Sequence, residues 1–218
     1  MKKLYKIPAI LILLFLAGIE TTQGITTTWL GTVSTSWNNA SNWNLGIPDS
    51  TDDLIISSNA PYNLTLTQNR KVTSFTIGGD TLDLGTYTLT TTGLTYFNGG
   101  KVLNGNLNIS GSLCHFGDAV IDARIEATCG YYHMNGGTFL KPVILVSTGA
   151  ASTSGSGNCV FEDSLSITNN GSYYFYLGST YADSYDNLSI TNNSTHEVFF
   201  CSTDTTFIGG NLILNNTS

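Results

Sequence analysis

In the second half of the chain, aliphatic and polar residues alternate in short runs that repeat. Leu165-Ser166-Ile167-Thr168-Asn169-Asn170 recurs as Leu188-Ser189-Ile190-Thr191-Asn192-Asn193 and, more loosely, as Leu212-Ile213-Leu214-Asn215-Asn216, at offsets of 23 and 24 residues. Read backwards, the pattern continues as Val143-x-Leu145, Ile125-x-Ala127 and Leu107-x-Ile109, at offsets of 22, 18 and 18. The first position of each unit and the position two further on are aliphatic in all six, while the residue between them is mostly polar. That is the period of a half-buried strand. Four residues after each anchor stand Gly111, Cys129, Ser147, Asn169, Asn192 and Asn216, mostly residues that end strands in turns.

One short strand cannot bury its apolar face alone, and a repeat of 18 to 24 residues leaves no room for a crossover helix. Stacking of coils is the remaining solution. The pattern therefore predicts an all-β fold, a parallel β-helix (β-solenoid) whose successive coils pair about 4.8 Å apart around a continuous aliphatic core. Six such coils rise roughly 29 Å. Asn169, Asn192 and Asn216 then fall in line, where amides hydrogen-bond from coil to coil.

Residues 25–98 read differently. Trp29, Trp37 and Trp43 are followed by short strands expected over 54–57, 64–67, 72–77 and 82–90. A solenoid needs a cap over its open end, so this segment is read as an N-terminal β cap with the first strands, and 99–218 as the repeats. The three Trp have a second reading, as a glycan-stacking platform. Ahead of both segments, Lys2, Lys3 and Lys6 precede an apolar run from Ile7 to Gly18, and polar residues follow to Gly24. This order is that of a cleaved signal peptide over 1–24, too short for a membrane span. It places the protein outside the cell or on its surface.

Composition agrees with strands. Charged residues are 11% of the chain, whereas 97 of its 218 residues are Thr, Ser, Asn or Gly, which excludes an all-helical fold. Beyond residue 24 the chain carries five basic and fourteen acidic residues, a formal charge of −9. A surface of that sign repels phosphate backbones, so nucleic acid is not an expected partner. Cys114, Cys129, Cys159 and Cys201 show no C-x-x-C spacing and are read as structural thiols or as disulfides in any of three connectivities.

No hydrolase, zinc-protease, nucleotide-loop or calcium-repeat motif occurs. Three acidic groups, Asp52-Asp53, Asp118 with Asp122, and Glu162-Asp163, keep a carbohydrate-active β-helix enzyme open as an alternative. The repeat phase gives one further candidate. Eight residues after the anchors lie His115, His133, Ala151, Tyr173 and His196, with Phe97 one unit earlier. The plain reading is an aromatic ladder at a corner. The sharper one places His115 and His133 on adjacent coils, close enough to share a metal ion. No cofactor is expected. An ice-binding solenoid, suggested by Thr65-x-Thr67 and Thr86-x-Thr88-x-Thr90, requires one Thr phase in every coil, and none is apparent.

Trp29-x-Gly31, the Trp37-Asn38 to Asn42-Trp43 segment, Gly46-Ile47-Pro48 and Asp52-Asp53-Leu54-Ile55-Ile56 together resemble the start of large secreted adhesin-like proteins of gliding-type Gram-negative bacteria. The Phe161 to Asn170 coil is similar to their repeat arrays. The resemblance implies a non-catalytic surface protein that binds glycans or other cell-surface components, and export linked to type IX secretion. Such proteins usually end in a sorting domain, whereas this chain stops at Ser218 inside a coil, so a truncated product is expected. Its last coil is expected to associate end to end with another copy.

Overall fold

The computed structural model describes residues 24–57, 59–150, 157–177, 183–200 and 206–217. The expected leader, apart from Gly24, lies outside them. Among the described residues, regular structure consists of strands and one 3-10 turn at Ala40–Asn42, and no helix is long and apolar enough to cross a membrane. The strands pair in parallel from coil to coil, so the chain is a β-solenoid.

Each coil contributes to three faces in turn. The first face runs through Thr26–Thr28, Asp53–Ile56, Phe75–Ile77 and Thr95–Phe97, then residues 114–116 and 132–134. The second takes Leu64–Thr65, Thr81–Asp83, residues 101–103 and 120–122, Thr138–Phe139, residues 160–161 and 184–185, and Phe207–Ile208. The third stacks Arg70–Val72, Thr88–Thr91, residues 106–109 and 125–129, Val143–Ser147, residues 165–169 and 188–192, and Leu212–Asn216.

The repeat read from the sequence is the third face. Leu107, Ile125, Val143, Leu165, Leu188 and Leu212 are successive register partners, as are the six aliphatic residues two positions on. The position four after the anchor also points inward, where Cys129, Ser147 and Asn169 are buried. A buried amide needs partners, and the stack supplies them: Asn169 Nδ2 donates to Asn192 Oδ1 at 3.0 Å. The second Asn of each doublet forms a parallel outer ladder, Asn193 Nδ2 donating to Asn170 Oδ1 at 2.7 Å. On the second face the inner column is aromatic, with Phe139, Phe161 and Tyr185 stacked at 4.5 and 5.3 Å. This explains the Phe161-x-x-x-Leu165 spacing, since the chain turns the corner between the two.

Coil stacking begins well before residue 99. Thr26–Thr28 already pairs in parallel with Asp53–Ile56, so most of the segment expected as a cap is solenoid. Two of its expected strands are each split by a corner: 72–77 at Thr73-Ser74, and 82–90 around Gly85, whose φ of +59° suits glycine. The cap proper is the Trp29 to Trp43 segment. Trp29 and Trp37 each pack edge-to-face on Trp43, with centroids 4.8 and 5.0 Å apart. Buried Asn42 pins the loop, accepting from Val33 N and Ser34 N and donating to Ser34 Oγ and Ser36 O.

Glycines fill the corner from the third face to the first. A Cβ on Gly111 would lie 2.0 Å from the Gly93 carbonyl oxygen, and one on Gly149 would lie 1.9 Å from that of Gly130. At the far end, Leu212, Ile213 and Leu214 are exposed.

Candidate ligand-binding face

Of the two readings of the three Trp, the glycan-stacking platform does not hold. Trp29, Trp37 and Trp43 are 1%, 0% and 4% exposed, and their indoles are occupied within the cap: Trp29 Nε1 donates to Tyr62 O, Trp43 Nε1 donates to Trp37 O, and the Arg70 guanidinium lies 5.0 Å from the Trp37 ring centroid. A ring that covers the end of a core has no free face for a sugar.

Outward-facing rings occur instead on the first face. Its central outer column runs Thr28, Ile55, Thr76, Tyr96, His115, His133 by direct register. Tyr96 meets His115 edge-on at 5.9 Å, and His115 lies 4.7 Å from His133. Tyr131 flanks His133 at 6.5 Å, with an interplanar angle of 23°. Phe97, expected in this column, faces inward and stacks on Phe116 at 5.5 Å. The corner before Thr95 is one residue shorter than the next one, so a fixed spacing from the anchor misplaces it.

Residues 151–156, which include the expected ladder member Ala151, lie outside the described residues. After them Phe175–Leu177 pairs with Val198–Phe200, in the first face's place in chain order, and inward Phe175 lies 6.1 Å from Tyr132 of that face. Outside, Tyr176 stacks on Phe199 at 5.0 Å, and Tyr174 lies 5.6 Å from Phe199. Tyr173 stacks on His196 at 5.7 Å with planes 2° apart. That pair sits in the bend before the strand, so the expected corner ladder holds there, whereas His115 and His133 lie within the strand itself. Tyr173 and Phe199 are 46% and 39% exposed, far more than core rings.

Burial, and secondarily the nearby His133 ring, hold His115 below its ordinary value near 6.5. At neutral pH it is an uncharged imidazole. The Tyr and Phe rings named add aromatic surface without charge to these outer positions. Such faces carry a negative quadrupole and take up the polarised C–H faces of sugar rings.

The acidic groups come together less well. Asp52 accepts from Ile25 N and Asp49 N, both at 2.9 Å, and Asp53 accepts from Ser74 N, so both act as backbone clamps. Asp122 faces Lys141 at 3.5 Å, and Asp163 accepts from Ser164 N. A carboxylate the sequence did not single out, Asp183, is buried in the corner, accepting from Cys159 N at 2.9 Å and Tyr185 Oη at 2.8 Å. Burial raises its pKa. Cys114, Cys129 and Cys159 are buried free thiols, and Cys201 lies outside the described residues. Burial pushes Cys159 up to about 12, which makes it a packing residue and not a nucleophile.

On the third face, the outer column that comes nearest to a Thr array runs Ser110, Thr128, Val146, Thr168, Thr191, Asn215. Val146 and Asn215 break it. No protein-family model, characterised protein or solved structure matches the chain.

Proposed function

We propose that this protein is an exported, non-catalytic surface wall that binds neutral glycans along the aromatic stripe of its first face. The observation that carries the reading is the outward stacking of Tyr173 on His196 and of Tyr176 on Phe199, together with the outward Tyr96–His115–His133 column. Rings that pack on one another outside the core are held in place, with little entropy left to lose on binding. The formal charge of −9 beyond residue 24 favours neutral sugars over polyanions. Export is supported by the basic and then apolar order of residues 1–24, and a link to type IX secretion by the resemblance of the Trp29 to Ile56 segment and the repeats.

Affinity electrophoresis through gels containing a neutral β-glucan, xylan or mannan, with pectate and alginate as anionic controls, tests the reading. Retardation is expected in at least one neutral gel, and the Tyr176→Ala/Phe199→Ala double variant should lose it while keeping its β-type far-ultraviolet spectrum. Retardation only in the anionic gels, or equal retardation of the variant, would overturn the stripe as the binding face. Release of reducing ends from any polymer would favour the enzyme alternative.

A further inference from the structure

His115 and His133 are direct partners in a parallel ladder, with ring centroids 4.7 Å apart. Register pairing fixes both Cβ atoms on one side of the sheet about 4.8 Å apart, so the two imidazoles project together. Nε2 of His115 is shielded from solvent and has no hydrogen-bond partner, a state that polar atoms rarely keep in a folded chain. We propose that this imidazole pair is a binding site for a borderline divalent transition-metal ion, with Cu²⁺ its tightest occupant.

The chemistry narrows the choice of ion. Two imidazole nitrogens offer nothing to Ca²⁺ or Mg²⁺, which take oxygen donors. Among the described residues no group of three or more His, Cys, Asp or Glu side chains is placed to hold a metal, so a closed tetrahedral zinc site of the structural kind is not available there. A tetragonal ion with two adjacent imidazoles and water in its remaining positions fits the pair, and the order of divalent affinities puts Cu²⁺ at the top. Coordination exchanges two metal-bound waters for two ring nitrogens and needs no electron transfer. The pair lies within the proposed glycan-binding stripe, so the metal titration is run without glycan and the two readings fail separately.

The test titrates the full chain with CuCl₂ at neutral pH, followed by calorimetry and electron paramagnetic resonance. One site with superhyperfine splitting from two nitrogens is expected. His115→Phe and His133→Phe, which keep ring volume in the column, should each weaken it at least roughly tenfold, the scale on which even outer-shell losses act. His196→Phe should leave it unchanged. As a control that leaves the sheet intact, carbethoxylation of the wild-type histidines is mapped with and without Cu²⁺, and the ion should protect His115 and His133 alone. Absence of a site, survival of the two-nitrogen signal in either column variant, or protection of His196 instead would overturn the proposal.

Discussion

The third and first faces of the solenoid are built from the same coils, yet they divide the work. On the third face, five-residue stretches stack without a register break from Leu107 to Leu212, and those starting at Ile125, Val143 and Leu165 each give two aliphatic side chains and then a buried corner residue to the core. On the first face the strands after the 151–156 segment are only three residues long, at Phe175–Leu177 and Val198–Phe200, and their outer positions carry rings. A face that fixes register leaves little freedom to its residues. Once register is fixed elsewhere, the outer positions of another face are free to take side chains chosen for contact.

That division predicts a large asymmetry between core and surface substitutions. Leu188 is 1% exposed in the third-face core, and Leu188→Asp places an unpaired carboxylate among Leu165, Ile167 and their neighbours. The expected loss exceeds about 4 kcal/mol. Ser189→Asp, one residue along and facing out, is expected to change stability by less than about 0.5 kcal/mol. Thermal melts of the two variants check the facing, and equal shifts would break it.

A smaller effect is expected where the two faces join. Gly149→Ala sets a methyl 1.9 Å from the Gly130 carbonyl oxygen, so the corner has to shift at a cost of about 1–3 kcal/mol. Ser172→Ala, on the exposed side of that corner one coil on, should be nearly silent. Chemical denaturation distinguishes them, and a silent Gly149→Ala would mean that coils slide freely at this corner.

The same division explains what was legible in the sequence. The third face was readable because the Leu-x-Ile-x-Asn spacing lies within one unbroken strand, where period 2 holds regardless of loop length. The first face was not, because a corner stands between anchor and ring. Leu89 to Tyr96 is seven residues, whereas Leu107 to His115 is eight, and the register equates them. The pairing of His115 with His133 was legible because their two corners have equal length. That of Tyr176 with Phe199 was not, because the anchor phase picks out Tyr173 and His196 in the preceding bend. Trp29, Trp37 and Trp43 were open to two readings since large amphipathic rings serve caps and binding platforms alike, and only their burial separates the two.

The proposed division assigns ligand contact to the first face and register to the third. It is checked by amide chemical-shift mapping during titration with a neutral oligosaccharide drawn from the polymer that retards the protein. Perturbations are expected only in the strand around Tyr96, His115 and His133 and in Tyr173–Leu177 and His196–Phe200, with Ser166, Ser189 and the outer third-face column unmoved. Perturbations centred on Ser110, Thr128, Thr168 and Thr191 would contradict it and transfer the binding role to the third face.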